Sequence, residues 1–191
     1  MLLGIGHASD HGFDAPLGLL SDCHRRIEHF LEVLVVLADV RRGGRLAAPD
    51  RAALERALDY FRTAAPKHAA DEEQSLFPRL RSSTAAGARQ AIERLDALEA
   101  DHRLAEDHQD AVDVLGRRWL RAGTLKAGDA RSLREHVVAL QRLYHRHIGV
   151  EDRELFPIAG CLLSAADLEA VGREMAARRN VPPASGPLTA S

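Results

Sequence analysis

An eleven-residue pattern occurs twice in the chain, and it constrains the fold more than any other feature. His68-Ala-Ala-Asp-Glu72-Glu73-Gln-Ser-Leu76-Phe77-Pro78 returns as His147-Ile-Gly-Val-Glu151-Asp152-Arg-Glu-Leu155-Phe156-Pro157. A shorter pair, His24-Arg-Arg-Ile-Glu28 and His102-Arg-Leu-Ala-Glu106, accompanies it. The offsets are 78 residues (24 to 102) and 79 (68 to 147), so the first two helices return as the third and fourth. Two helical hairpins related in this way form a bundle with approximate two-fold symmetry. A binuclear site near that axis is its natural product.

Helices are the only regular elements the sequence supports. Leu, Ala, Arg and Glu dominate, and no alternating strand pattern of useful length occurs. The first helix is expected over Pro16 to Arg42, with Asp14 as N-cap and Gly43-Gly44 as the stop. The second starts near Asp50, is kinked or broken by Pro66, and runs on to Pro78. The third spans about Thr84 to Arg121 and the fourth about Asp129 to Phe156, with Pro78 and Pro157 read as helix ends. A short fifth helix, Ser164 to Arg178, opens on a Ser-x-x-Asp start resembling a capping box. The expected architecture is all-α, an up-down-up-down four-helix bundle over residues 1–160. A C-terminal helix over 161–179 packs on it, and a disordered tail covers 180–191.

Composition narrows the function classes. A net charge of −2 gives no electrostatic reason for a nucleic-acid or membrane partner. No apolar run reaches the roughly 18 residues that span a bilayer. Two cysteines without a CxxC pair, and a start lacking secretory features, lead to the expectation of a reducing cytoplasm. Oligomeric state is left open between monomer and homodimer.

Residues four apart on a helix share one face. His68 with Glu72, and His147 with Glu151, can therefore each reach one centre, and His24 and His102 add an imidazole from the other two helices. Glu28 and Glu106, one turn further on, are candidate extra ligands. Mixed nitrogen and oxygen donors without thiolate suit iron or manganese better than structural zinc. Each of two ions would receive two His and a share of two bridging carboxylates. Open coordination would remain for a bridging oxygen and an outside ligand such as O2, NO or peroxide. Glu73 and Asp152 are read as groups that hold a ligand His.

On these residues the sequence resembles the hemerythrin-like (HHE cation-binding) domains over roughly Ala15 to Ala159. The resemblance implies a di-iron centre, oxo- or hydroxo-bridged, with manganese or zinc as substitutes. It implies His24, His68, His102 and His147 as terminal ligands and Glu72 and Glu151 as bridges. Oxygen carriers of the family have a further His one turn after the third-helix ligand; Glu106 stands there in this chain. The pattern is more similar to carboxylate-rich bacterial relatives, among them the iron–sulfur cluster repair proteins. The expected function is reaction with, or sensing of, O2, NO or peroxide. The alternative is a non-catalytic iron-binding or storage module, or an iron donor of the repair type.

Overall fold

The computed structural model describes residues 10–85 and 87–182. Its elements are α1 (Pro16–Arg41), α2 (Ala48–Thr63), α3 (Ala65–Asp71), a first π-turn (Glu72–Leu76), α4 (Phe77–Ser82), α5 (Ala88–Ala122), α6 (Ala127–Val150), a second π-turn (Glu151–Leu155), α7 (Phe156–Leu162) and α8 (Ala165–Arg178). The segments α2 to α4 make one long bundle helix, and α6 with α7 makes another. Around the bundle α1 touches α2 and α6, and α5 touches the same two. Short connections between neighbours make the four helices run up, down, up and down. No strand occurs among the described residues, and no helix of theirs is long and apolar enough to cross a membrane.

Several expected boundaries are corrected. Asp14 does not cap α1: Ala15 precedes the helix and no side chain bonds its first turn. Pro16 opens it regardless, because its fixed φ suits a position whose N–H would be idle. The left-handed residue ending α1 is Arg42, at φ 46°, followed by Gly43 at φ 77°. A side chain on Gly43 would meet Ala130 Cβ at 2.7 Å, so the tight packing of this loop requires glycine.

The larger correction concerns the prolines. Pro78 and Pro157 do not end their helices; each sits just inside a further helical segment. Proline lacks an N–H, and its ring collides with the carbonyl four residues back. The chain meets this by widening one turn. Phe77 N–H reaches back five residues to Glu72 O, and Phe156 N–H to Glu151 O. Such π-turns occur often at functional sites, and here each begins on a carboxylate of the repeated motif. Pro66 breaks the second bundle helix as expected, at Ala64 between α2 and α3.

Apolar residues gather in two clusters. One surrounds Ile27, Phe61, Trp119 and Leu140; the other surrounds Leu20, Phe77, Leu95, Leu155 and Met175. Ser164 caps α8 in a full capping box with Asp167, more complete than the sequence suggested. In the expected tail, Asn180 and Val181 hydrogen-bond back to Ala177 O and Ala176 O; residues 183–191 lie outside the described residues.

Candidate metal centre

Eight polar or charged residues are buried among the described residues, and six of them are the repeated His and Glu: His24, His68, Glu72, His102, His147 and Glu151. The helical repeat explains their convergence. His24 comes from α1, His68 from α3, His102 from α5 and His147 from α6. Glu72 and Glu151 open the two π-turns one helical turn below His68 and His147.

The donor atoms form two groups with shared members. His24, His68, Glu72 and Glu151 make one; Glu72, His102, His147 and Glu151 make the other. Within each group the donor atoms lie within 4.8 Å of one another. Glu72 spans the two groups: its Oε1 is 3.4 Å from His68 Nε2, and its Oε2 is 3.2 Å from His102 Nε2. Glu151 Oε2 lies 3.2 Å from His24 Nε2 and 3.1 Å from His147 Nε2. Donors bound at about 2.1 Å to one ion at right angles stand roughly 3 Å apart, so these spacings are those of ligands around a shared cation.

The fit to a cation rests on atoms left without partners. Both oxygens of Glu72, both oxygens of Glu151, and Nε2 of His24 and His68 are buried without a hydrogen bond. Orphaned buried groups cost on the order of 1–3 kcal/mol each, and more when charged. Six converging on one space make a core polar without compensation unless a cation binds there.

Outer contacts orient two of the imidazoles. His24 Nδ1 bonds Asp152 Oδ1 at 2.8 Å, and His102 Nδ1 bonds Glu73 Oε1 at 2.8 Å. Each partner is the residue after a motif glutamate, and each reaches across from the opposite hairpin. Asp152 is itself held by Ser21 Oγ at 3.0 Å and by Arg25. This cross-pairing holds the Nε2 of both His toward the centre. His147 Nδ1 has Asp101 Oδ2 at 3.7 Å, an ion-pair distance beyond hydrogen-bond length. His68 Nδ1 is buried without any partner.

Protonation follows these surroundings. Burial alone would lower His24, but bonds to Asp152, Glu151 and Glu72 hold it well above the usual imidazole range. Burial also opposes the charge on His147; the Glu151 carboxylate and Asp101 outweigh it and raise the group to about 10. His102 is raised by Glu72 against its burial. His68 falls to about 4 because burial dominates. Glu72 is held well below the carboxylate range by His68 and by bonds from His102 and His24, although burial pushes it up. Glu151 is lowered by His147 and His24 against both its burial and the charge of Glu72.

Glu28 and Glu106 are not brought into the centre. Glu28 is turned outward, 40% exposed, and pairs with Arg25 at 2.8 Å. Glu106 is exposed and lines a small cavity of about 230 Å³ with His102, Gln109 and Tyr144. Both are one turn from a ligand on helices without a π-turn, and a regular turn carries them past the space where the donors meet. Elsewhere Tyr144 accepts a hydrogen bond from Gln109 Nε2 at 2.7 Å, and Tyr60 donates to Cys23 O at 3.3 Å. Trp119 donates to Gly44 O, away from the centre. His108 and His136 pair through Nδ1 at 2.9 Å, and His11 pairs with Asp22 at 3.1 Å. His7 lies outside the described residues.

Sequence reasoning missed three contributors: Ser21, Asp101 and the fully buried Asp71. The signal available for Asp71 was its place three residues after His68, on the inward side of the helix. Asp101 precedes His102, but its repeat counterpart is Cys23, so no motif marked it.

Comparison with known proteins gives one family. The model of the hemerythrin HHE cation-binding domain matches residues 15–159. An uncharacterized protein of Haemophilus influenzae is 29% identical over 170 residues, covering 88% of this chain and 92% of that one.

Proposed function

The chain belongs to the hemerythrin HHE cation-binding family, and from that premise we propose that it holds a pair of iron ions and reacts with or senses O2, NO or peroxide. The observation that carries the reading is the set of six buried residues whose unpaired donor atoms converge. In this reading His24 and His68 hold one ion, His102 and His147 the other, and Glu72 and Glu151 bridge them. When bound, the ions would supply electrons to, and coordination sites for, a small oxidant or radical.

The chain's own residues do the rest. Asp152 and Glu73 fix two imidazoles so that little reorganisation accompanies ligand exchange. Phe77 stacks over His102 with centroids 6.4 Å apart, and Phe156 over His24 at 5.4 Å, so both faces of the centre are kept dry. The cavity beside His102 gives a small molecule an approach bounded by Tyr144 and Gln109. Since Glu106 is exposed, an extra anionic ligand is not the ground for preferring reaction over carriage. The ground is that no sixth nitrogen or oxygen side chain replaces the additional His of the carriers, which leaves the second ion less saturated by nitrogen.

Aerobically purified protein should contain a pair of irons and a visible ferric chromophore that dithionite bleaches and that NO or H2O2 alters. Glu72→Ala removes a donor shared by both groups and should abolish chromophore and iron together. Unchanged iron content and absorption in that variant would sink the assignment.

A further inference from the structure

The first π-turn is gripped from outside the bundle, and the second is not. Asp71, the residue before Glu72, is 0% exposed. It accepts hydrogen bonds from Arg178 Nη1 at 2.7 Å, Arg179 Nη1 at 3.1 Å and Arg179 Nη2 at 2.6 Å. Arg178 Nη2 also donates to Oγ of Ser75, inside the turn, at 2.6 Å. Arg79 closes the ring, donating to Ser75 O at 2.7 Å and to Glu174 of α8 at 2.7 and 3.1 Å. The helix is seated closely enough that a side chain on Gly172 would stand 1.8 Å from Phe13 O. Val171 and Met175 fix its apolar side, both 0% exposed.

The repeat provides an internal control. The counterparts of Asp71, Ser75 and Arg79 in the second half are Val150, Glu154 and Ile158. Of these only Glu154 carries charge, and it makes a pair with Arg94 in which both side chains are at least 40% exposed. The second turn is held instead from within, through Asp152. Moreover, α8 begins after residue 159, where the match to the family model ends. A buried carboxylate with two arginines seldom stabilises a fold more than apolar residues of equal volume, because desolvation offsets the attraction. What such a group supplies is a fixed geometry, and here the fixed backbone carries Glu72.

We propose that α8 is a clasp that positions Glu72: Arg178 and Arg179, acting on Asp71 and Ser75, fix the π-turn that presents this carboxylate to the metal pair. Asp71, Ser75, Arg178 and Arg179 are positioning residues and touch no metal. The clasp rests on the metal reading for its purpose, and its mechanical part can be tested without metal.

The test compares the full chain with Arg178→Gln/Arg179→Gln and, as a milder change, Arg178→Gln alone. Arg173→Gln, on the exposed side of the same helix, is the control. In metal-free protein, amide hydrogen exchange at residues 72–77 should quicken about tenfold or more in the double variant, while residues 151–156 stay near wild type. Cobalt(II) titration should show affinity weakened by about ten- to a hundredfold, with visible bands altered in shape, as expected when an outer partner of a ligand is lost. Arg173→Gln should match wild type in both measurements. Unchanged exchange at 72–77, or equal quickening in both turns, would overturn the clasp. If the double variant does not fold, the single variant decides by the same criterion. A wild-type chain that takes up no cobalt would overturn the metal reading, while the exchange comparison still judges the clasp.

Discussion

His68 and His147 occupy the same place in the two repeats, yet their surroundings are opposed. Each precedes a bridging-type glutamate by one turn, and each is buried. Beside His147 stands Asp101 at 3.7 Å. The repeat places Cys23 in the position of Asp101, and His68 Nδ1 has no partner at all. The consequence is one imidazole lowered to about 4 and its counterpart raised to about 10. Duplication therefore reproduced the donors and not what stands behind them. The bridging glutamates differ in the same way, with the turn of Glu72 tied to α8 and that of Glu151 tied to α1 through Asp152. Approximate symmetry builds the site, and departures from it make its two halves chemically distinct.

The largest expected effect of that difference is on metal retention. A carboxylate behind a ligand imidazole raises its basicity, and losing such a partner typically costs about ten- to a hundredfold in affinity. The ion of His102 and His147 should outlast the ion of His24 and His68 during titration with a chelator, giving two steps in the released iron. Asp101→Ala should merge the steps by weakening the tighter one. A single step in the wild-type chain, or two unaltered steps in Asp101→Ala, would break the comparison.

A smaller effect concerns pH. In metal-free protein His147 titrates above the unfolded imidazole value of about 6.5. Its contribution to stability is full below that value and is lost as pH rises through about 10. His68 titrates below the unfolded value, so its contribution is present above about pH 6.5 and is lost as pH falls through about 4. The metal-free melting temperature should thus fall on both sides of neutrality. His147→Gln should flatten the alkaline limb and His68→Gln the acid limb. Metal binding displaces protons, so the loaded chain should gain metal affinity with rising pH where the empty chain loses stability. Parallel pH profiles for the two forms would contradict the assignment of opposed histidines.

The fold and the six converging residues were legible because both depend on period. Helical spacing put His68 with Glu72 and His147 with Glu151, and the repeat offset supplied His24 and His102. What escaped depends on local geometry that a spacing argument treats as uniform. Proline after Leu-Phe reads as a terminator, and the chain widens a turn instead, so the helices of Pro78 and Pro157 continue. The buried ion pairs of Asp71 join residues 107 and 108 positions apart, a separation that no local pattern reports. The Asp101 neighbour of His147 was hidden for a related reason, since its repeat counterpart Cys23 is not a carboxylate.

Glu28 and Glu106 give the smallest effect and the sharpest check on how far the repeat extends. They are repeat partners one turn after His24 and His102, so a purely periodic argument grants them the same standing as Glu72 and Glu151. The difference lies in the backbone. The π-turns belong to the bundle helices of His68 and His147, and only there does the carboxylate begin a widened turn. On the regular helices α1 and α5 the glutamates reach solvent instead, Glu28 to Arg25 and Glu106 to the rim of the cavity beside His102. Exposed pairs of this kind contribute about 0–1 kcal/mol. Glu28→Ala should therefore leave iron content, chromophore and melting temperature near wild type. Glu106→Gln should likewise keep both ions. As Glu106 is an acidic group at the approach to His102, its removal should modestly strengthen binding of an anion such as azide while leaving NO unaffected. Loss of one iron in Glu106→Gln would return this residue to the ligand set and make the third helix, like the second and fourth, a donor of carboxylate.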